Sequence, residues 1–292
     1  MSTRARVPDE VIVATELYAD ADLAAPRSAG FLHGHLACFT HRAPDKTQNE
    51  DALAVIPASG RSGLLVLADG LGGQPRGDLA ARTVVETISE VVTSGYESLR
   101  EAILHGIDQA NQRIIEDGYN GGATLAVLEI DAQQVRSYHI GDAFVIVTGQ
   151  RGRVKFQNIA HSPVGYAVES GLIDENDAVH HHERNLVSNF VGTTDMYINV
   201  GPQIELAPRD TVLIASDGLS DNLYVEEIID AVRMGTLDAA AAKLQSITSA
   251  RMSNKEAELP SHPDDLSFCL FRPDAGHAAR QLKMTSSLPR QK

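Results

Sequence analysis

Apolar residues in this chain come in short blocks, and the rhythm of those blocks changes twice along its length. Near-continuous apolar runs at 36–40, 52–56 and 63–68 predict strands, the last one fully buried. Helical spacing then takes over. One helix is expected from Pro75 to about Val92, with proline in the first turn, where its missing N–H has no helical partner. A second is expected from Glu97 to about Asp117, with Leu99, Ala102, Ile103, Ile107, Ala110 and Ile114 on one face. Gly118 and the run Asn120-Gly121-Gly122 stop it. Strand-like runs at 123–130, 135–140, 144–148 and 154–159, separated by short turns, predict an antiparallel meander. Residues 160–200 are irregular. A strand at 211–216, helices at 225–234 and 237–251, and a strand at 266–271 complete the pattern.

Paired helices with antiparallel strands between them predict an α+β protein in which helices cover sheets, not an alternating βαβ chain. A single domain over 34–272 is expected. Residues 1–33, with Pro8, Pro26 and Gly30 and little periodicity, are expected to form a partly ordered leader. Residues 273–292, with Arg280, Lys283, Arg290 and Lys292 and little apolar content, are expected to be a mobile tail.

Composition narrows the function classes. The 292 residues are 43% hydrophobic, ample for one large core. The net charge is −14 and no Lys/Arg cluster interrupts it, which argues against a nucleic-acid partner. No apolar run approaches the ~18 residues of a membrane span, and the start lacks the charged and apolar regions of a secretory signal. A cytoplasmic protein is expected. Cys38 and Cys269 lie in apolar surroundings and are expected to be buried reduced thiols. Without a CxxC pair, structural zinc is not expected.

The chemistry concentrates where apolar runs end. Asn49-Glu50-Asp51, Asp69-Gly70-Leu71-Gly72-Gly73, Asp217-Gly218-Leu219-Ser220-Asp221 and Asp264-Asp265 all flank predicted strands. Each alone reads as a turn, and Asp221 as a cap for the next helix. Together they predict carboxylates delivered by separate strand ends to a common point. Crowded carboxylates repel one another unless a multivalent cation compensates them, and hard oxygen ligands favour Mg²⁺ or Mn²⁺. The first reading is therefore a metal-dependent hydrolytic enzyme. Adjacent residues of an extended segment face opposite ways, so Glu50 and Asp51 are expected to divide their roles. The run His180-His181-His182 reads as a solvated loop, because neighbouring side chains diverge. His139 and His161 read as structural.

These motifs, with Gln48-Asn49-Glu50-Asp51-Ala52, Leu67-Ala68-Asp69-Gly70, Gly121-Gly122-Ala123-Thr124-Leu125, His139-Ile140-Gly141-Asp142, Ala215-Ser216-Asp217-Gly218 and Asp264-Asp265-Leu266-Ser267 in that order, resemble the metal-dependent type 2C protein serine/threonine phosphatases, the PPM family, of bacterial type. The resemblance spans roughly residues 35–272. It implies a four-layer α-β-β-α sandwich of two antiparallel sheets flanked by helices. It implies that Asp69 bridges two Mn²⁺ or Mg²⁺ ions, with the Gly70 carbonyl on one and Asp217 and Asp264 on the other. Glu50 and Asp51 would act mainly through metal-bound waters. Asp142 would join Asp217 at a third ion, and residues 160–200 would form the flap beside the cleft. A metal-bridging water would attack the phosphorus of phosphoserine or phosphothreonine. The substrates would be phosphorylated proteins, opposing a Ser/Thr kinase.

Some positions depart from that pattern. Lys46 stands where an arginine grips phosphate, and a lysine cannot make the bidentate contact. Leu71 cannot donate a proton to the leaving oxygen. Ala143-Phe144 replaces Ser-Arg, Ala160 replaces Asp, and Asp265 replaces Asn. Two alternatives stay open at this level: a non-catalytic scaffold on the same fold, and a phosphatase of small phosphorylated metabolites.

Overall fold

The computed structural model describes residues 10–73, 76–118, 121–253 and 259–274. The expectations for Pro8, Pro75, Asn120 and the tail from residue 275 lie outside the described residues. In chain order the first half comprises β1 (Val11–Ile12), β2 (Glu16–Ala19), β3 (Arg27–Phe31), β4 (Gly34–His41), β5 (Asp51–Pro57), β6 (Ser62–Gly70), α1 (Gly77–Thr93), α2 (Leu99–Asp117), β7 (Ala123–Asp131) and β8 (Gln134–Ile140). The second half comprises β9 (Phe144–Thr148), β10 (Val154–Gln157), α3 (Pro163–Glu169), α4 (Glu175–Ala178), β11 (Asn199–Val200), β12 (Ile204–Glu205), β13 (Thr211–Ala215), α5 (Asp217–Ser220), α6 (Val225–Val232), α7 (Leu237–Ser253) and β14 (Leu266–Pro273).

The strands form two sheets. One has the order β1-β3-β4-β14-β13-β9-β10, and the other β11-β8-β7-β6-β5-β2, with β12 also on β8. Pairing is antiparallel except between β1 and β3. The two sheets close on each other through Phe31, Leu53, Leu65, Val145, Val212 and Phe271, all buried. Helices α1 and α2 cover the outer face of the second sheet through Val84, Ile88, Ile103 and Ile107. Helices α6 and α7 cover the first through Ile228, Val232, Ala241 and Leu244. This is the expected α-β-β-α sandwich. Its strands read as near-continuous apolar runs because both faces of each sheet are covered.

Two organisational expectations are corrected. Residues 10–33 are not a leader: β1 and β3 lie in the first sheet and β2 pairs with β5 in the second. These strands take their order from the sheet edges they join, which a short, weakly alternating segment does not signal. The expected meander over 123–159 is two hairpins in different sheets. β7 pairs β8, β9 pairs β10, and the chain crosses between sheets at Gly141-Asp142-Ala143. That crossover puts Asp142 at the sandwich edge. Cys38 and Cys269 face each other in register across β4 and β14, as buried free thiols.

Candidate active site

Five segments at one edge of the sandwich build the site. Asp51 opens β5 and lies opposite Asp69, near the end of β6. After Asp69 the chain passes close under α1. A Cβ on Gly70 would stand 2.3 Å from the Gly77 backbone, so only glycine allows that approach. Asp217 is the first residue of α5, directly after β13. A Cβ on Gly218 would lie 1.9 Å from the Asp265 carbonyl, so this turn packs against the start of β14 without a side chain between. Asp264 and Asp265 precede β14, and Asp142 comes from the sheet crossover.

Burial and the charges of the neighbouring carboxylates act on these groups together. Burial pushes the Asp69 carboxyl well above the usual carboxylate range, and the charges of Asp51, Asp217, Asp264 and Asp142 push it further. Asp217 is raised likewise, by burial first and then by Asp264, Asp221, Asp142 and Asp51. Burial and then Asp265 raise Asp51 to about 7, and burial raises Asp142 to about 6. Like charges held this close cannot all ionise without a compensating cation.

The structure also shows who holds the carboxylates. Asp51 is 2% exposed. Its Oδ2 accepts from Ser216 Oγ at 2.9 Å, and its Oδ1 is buried with no hydrogen-bond partner. Asp265, 3% exposed, accepts from the Ala43 N–H and the Glu50 N–H, both at 2.7 Å. The Lys46 ammonium donates to Glu50 at 2.9 Å, Asp264 at 2.8 Å and Asp265 at 3.2 Å. Burial opposes that charge, and the hydrogen bonds to Asp264 and Glu50 outweigh it, so Lys46 titrates above its usual range. Ser216 and the anchoring role of Asp265 escape sequence reasoning. The only signal for Ser216 is its place immediately before Asp217.

A cavity of about 390 Å³ opens beside Asp142 and Asp217, roofed by α3 and α4 of the 160–200 segment. Asp221 lines it and does not cap the next helix: α6 is capped at Tyr224, and Asp221 pairs with Arg184 at 3.2 Å. Burial holds Asp221 at about 7 despite that arginine. His180 and His182 are exposed, and His180 reaches Tyr224 at 3.0 Å, not the acidic centre. His139 and His161 stack at 4.5 Å behind the crossover, where His161 Nδ1 accepts from the Gly141 N–H at 3.1 Å.

The donor set fits Mn²⁺ or Mg²⁺: anionic oxygens from several segments, one of them buried and unpartnered. Among the described residues no three His, Cys, Asp or Glu side chains already close on one point. Hard ions that take backbone carbonyls and waters into their shell do not need such a cage.

Fold and site together define a metal-dependent phosphoprotein phosphatase. A model of the protein phosphatase 2C family matches residues 40–255, and the chain belongs to that family. Protein phosphatase PhpP of Streptococcus pneumoniae is 27% identical over 208 residues, covering 68% of this chain and 83% of that protein. Serine/threonine phosphatase Stp1 from Staphylococcus aureus shares the fold with a TM-score of 0.71 at 20% identity, over 93% of this chain and 99% of that one. The catalytic domain of the serine/threonine protein phosphatase PstP, solved with two manganese ions, shares it with a TM-score of 0.64 at 21% identity, over 81% and 96%. Among the described residues, no helix is long and apolar enough to cross a membrane.

Proposed function

We propose that this chain hydrolyses phosphoserine and phosphothreonine in proteins at the acidic centre, using Mn²⁺ or Mg²⁺. The observation that supports the reading is the gathering of carboxylates at one sandwich edge: Asp51 lies opposite Asp69, Ser216 beside Asp217 holds Asp51, and Asp142 and Asp217 line one cavity. Asp69 would hold two ions, with the Gly70 carbonyl on one and Asp217 and Asp264 on the other. Glu50 and Asp51 would act through ordered water, and Asp142 with Asp217 would hold a third ion. When bound, the ions neutralise the phosphate dianion and lower the pKa of a water.

The chain's own groups set the geometry of that reaction. The Ser216 hydroxyl orients Asp51, and Asp265 anchors the segment that carries Glu50. Leu71 beside the centre has no proton to give, so a water or another group protonates the leaving seryl or threonyl oxygen. The partners are phosphorylated proteins, in opposition to a Ser/Thr kinase, in cytoplasmic signalling. The names of the relative PhpP, a protein phosphatase, and of the structural neighbour Stp1, a serine/threonine phosphatase, support that substrate class.

Lys46, Leu71 and Phe144 motivate a scaffold reading. The self-repelling carboxylates weigh against it, because a scaffold gains nothing from a cluster that destabilises the fold. Purified protein with Mn²⁺ is expected to hydrolyse p-nitrophenyl phosphate and a phosphothreonine peptide, and to favour the peptide over sugar phosphates. Absence of turnover on all three would reject the reading.

A further inference from the structure

All three N–H donors of the Lys46 ammonium are engaged, on Glu50, Asp264 and Asp265. None is left for a phosphate oxygen unless one carboxylate is released. Two of the three acceptors serve the ions in the reading above, Asp264 directly and Glu50 through ordered water. The third, Asp265, is fixed from two sides. Its Oδ1 takes the Ala43 N–H and its Oδ2 takes the Glu50 N–H, so the loop carrying Lys46 is clamped at both ends by one buried carboxylate. An asparagine there would turn an N–H toward one of those two backbone donors, so the clamp is built for a carboxylate.

We infer that Lys46 is an internal counter-cation that competes with a divalent ion for Glu50 and Asp264, and that Asp265 is the positioning residue that keeps it there. The inference rests on the metal-dependent reading of the site and adds a control on how tightly the ions are held. A unit positive charge a few ångströms from a divalent ion opposes its binding. Divalent ions therefore bind more weakly than the carboxylates alone would allow, and Lys46 becomes free to meet phosphate only when an ion takes its acceptors. Metal occupancy and phosphate binding are coupled through one side chain.

The test is calorimetric titration of Mn²⁺ into the chelator-stripped full chain, as wild type, Lys46→Arg and Lys46→Met, each checked by circular dichroism. Lys46→Met is expected to bind Mn²⁺ about tenfold more tightly, and Lys46→Arg, which keeps the charge, within about twofold of wild type. Lys46→Gln serves in the same role if the methionine variant does not fold. Equal or weaker Mn²⁺ binding by the neutral variants would overturn the inference. Failure of every protein to take up Mn²⁺ would instead reject the metal-dependent reading beneath it. In an Asp265→Asn background the gain from Lys46→Met is expected to shrink toward twofold; an undiminished gain would remove the positioning role of Asp265.

Discussion

Two buried polar clusters lie side by side in this molecule and are built on opposite terms. In the acidic centre, carboxylates from five segments push one another's protonation upward, and Asp51 keeps a buried oxygen with no partner. In the histidine cluster behind the crossover, partners are largely supplied from within. His161 Nδ1 accepts from Gly141 N–H and from Asn189 Nδ2, so its proton sits on Nε2. Asn189 also exchanges two hydrogen bonds with the Tyr197 backbone, and His139 donates to the Ile159 carbonyl. Burial, then the neighbouring His139, keeps His161 neutral down to about 4. The difference teaches where function resides: the histidine cluster, although His139 Nδ1 and His161 Nε2 are buried without partners, gathers no like charges and ties the flap to the sandwich, while the acidic centre concentrates carboxylates that only a cation compensates.

The sharpest break of this comparison is in activity. Asp69→Asn or Asp217→Asn is expected to lower turnover with Mn²⁺ by roughly a thousandfold, several kcal/mol of barrier. In chelator the same variants should melt no lower than wild type, because a repelled charge has been removed. Retained turnover in both would refute the assignment of these ligands.

The reverse pattern is expected from Asn189→Ala. It strands the Tyr197 N–H and carbonyl and removes one of the two donors to His161 Nδ1, and should cost about 2 kcal/mol in urea unfolding while Mn²⁺ affinity stays within about twofold. A variant that lost metal binding but kept its stability would erase the contrast between the clusters.

The pH dependence of stability should also carry opposite signs. Asp51 and Asp221 titrate near 7 in the folded chain, above the unfolded carboxylate value of 3.8. The folded state then binds more protons across that window, so their stabilising effect is full below pH 4 and lost as pH rises through 7. His161 titrates at about 4 folded and 6.5 unfolded. Its stabilising effect is full above pH 6.5 and lost as pH falls through 4. In chelator, melting temperature followed from pH 4 to 8 should lose part of its alkaline fall in Asp221→Asn, and part of its acid fall in His161→Gln. Unchanged profiles in both variants would contradict these assignments.

The smallest effect sharpens the comparison from outside. His182→Ala, at an exposed member of the triplet, is expected to change stability by less than about 0.5 kcal/mol and Mn²⁺ affinity not at all. A clear loss of affinity in the same titration would bring the triplet into the site.

Much of this was legible before folding. Strands over 52–56 and 63–68 and the apolar face of α2 were marked by periodicity, because burial on both faces or on one stripe leaves a local trace. Asp69 and Asp217 were marked by their place after apolar runs. Ser216 and the anchoring role of Asp265 were not, since their partners lie far off in sequence: Ser216 meets Asp51, and Asp265 meets Ala43 and Glu50. Asp221 reads as a helix cap in the sequence because Arg184, its actual partner, comes from the irregular flap.

By itself the order of residues determined the element types, the layered architecture and the supply of carboxylates at strand ends, since each of these is a local matter of spacing and side-chain chemistry. Only the tertiary structure decided that residues 10–33 join both sheets, that the strands of 123–159 divide between them, and that the Lys46 ammonium turns inward onto three carboxylates. Those outcomes depend on which strand edges meet and which charges are brought within contact, and no run of neighbouring residues records that.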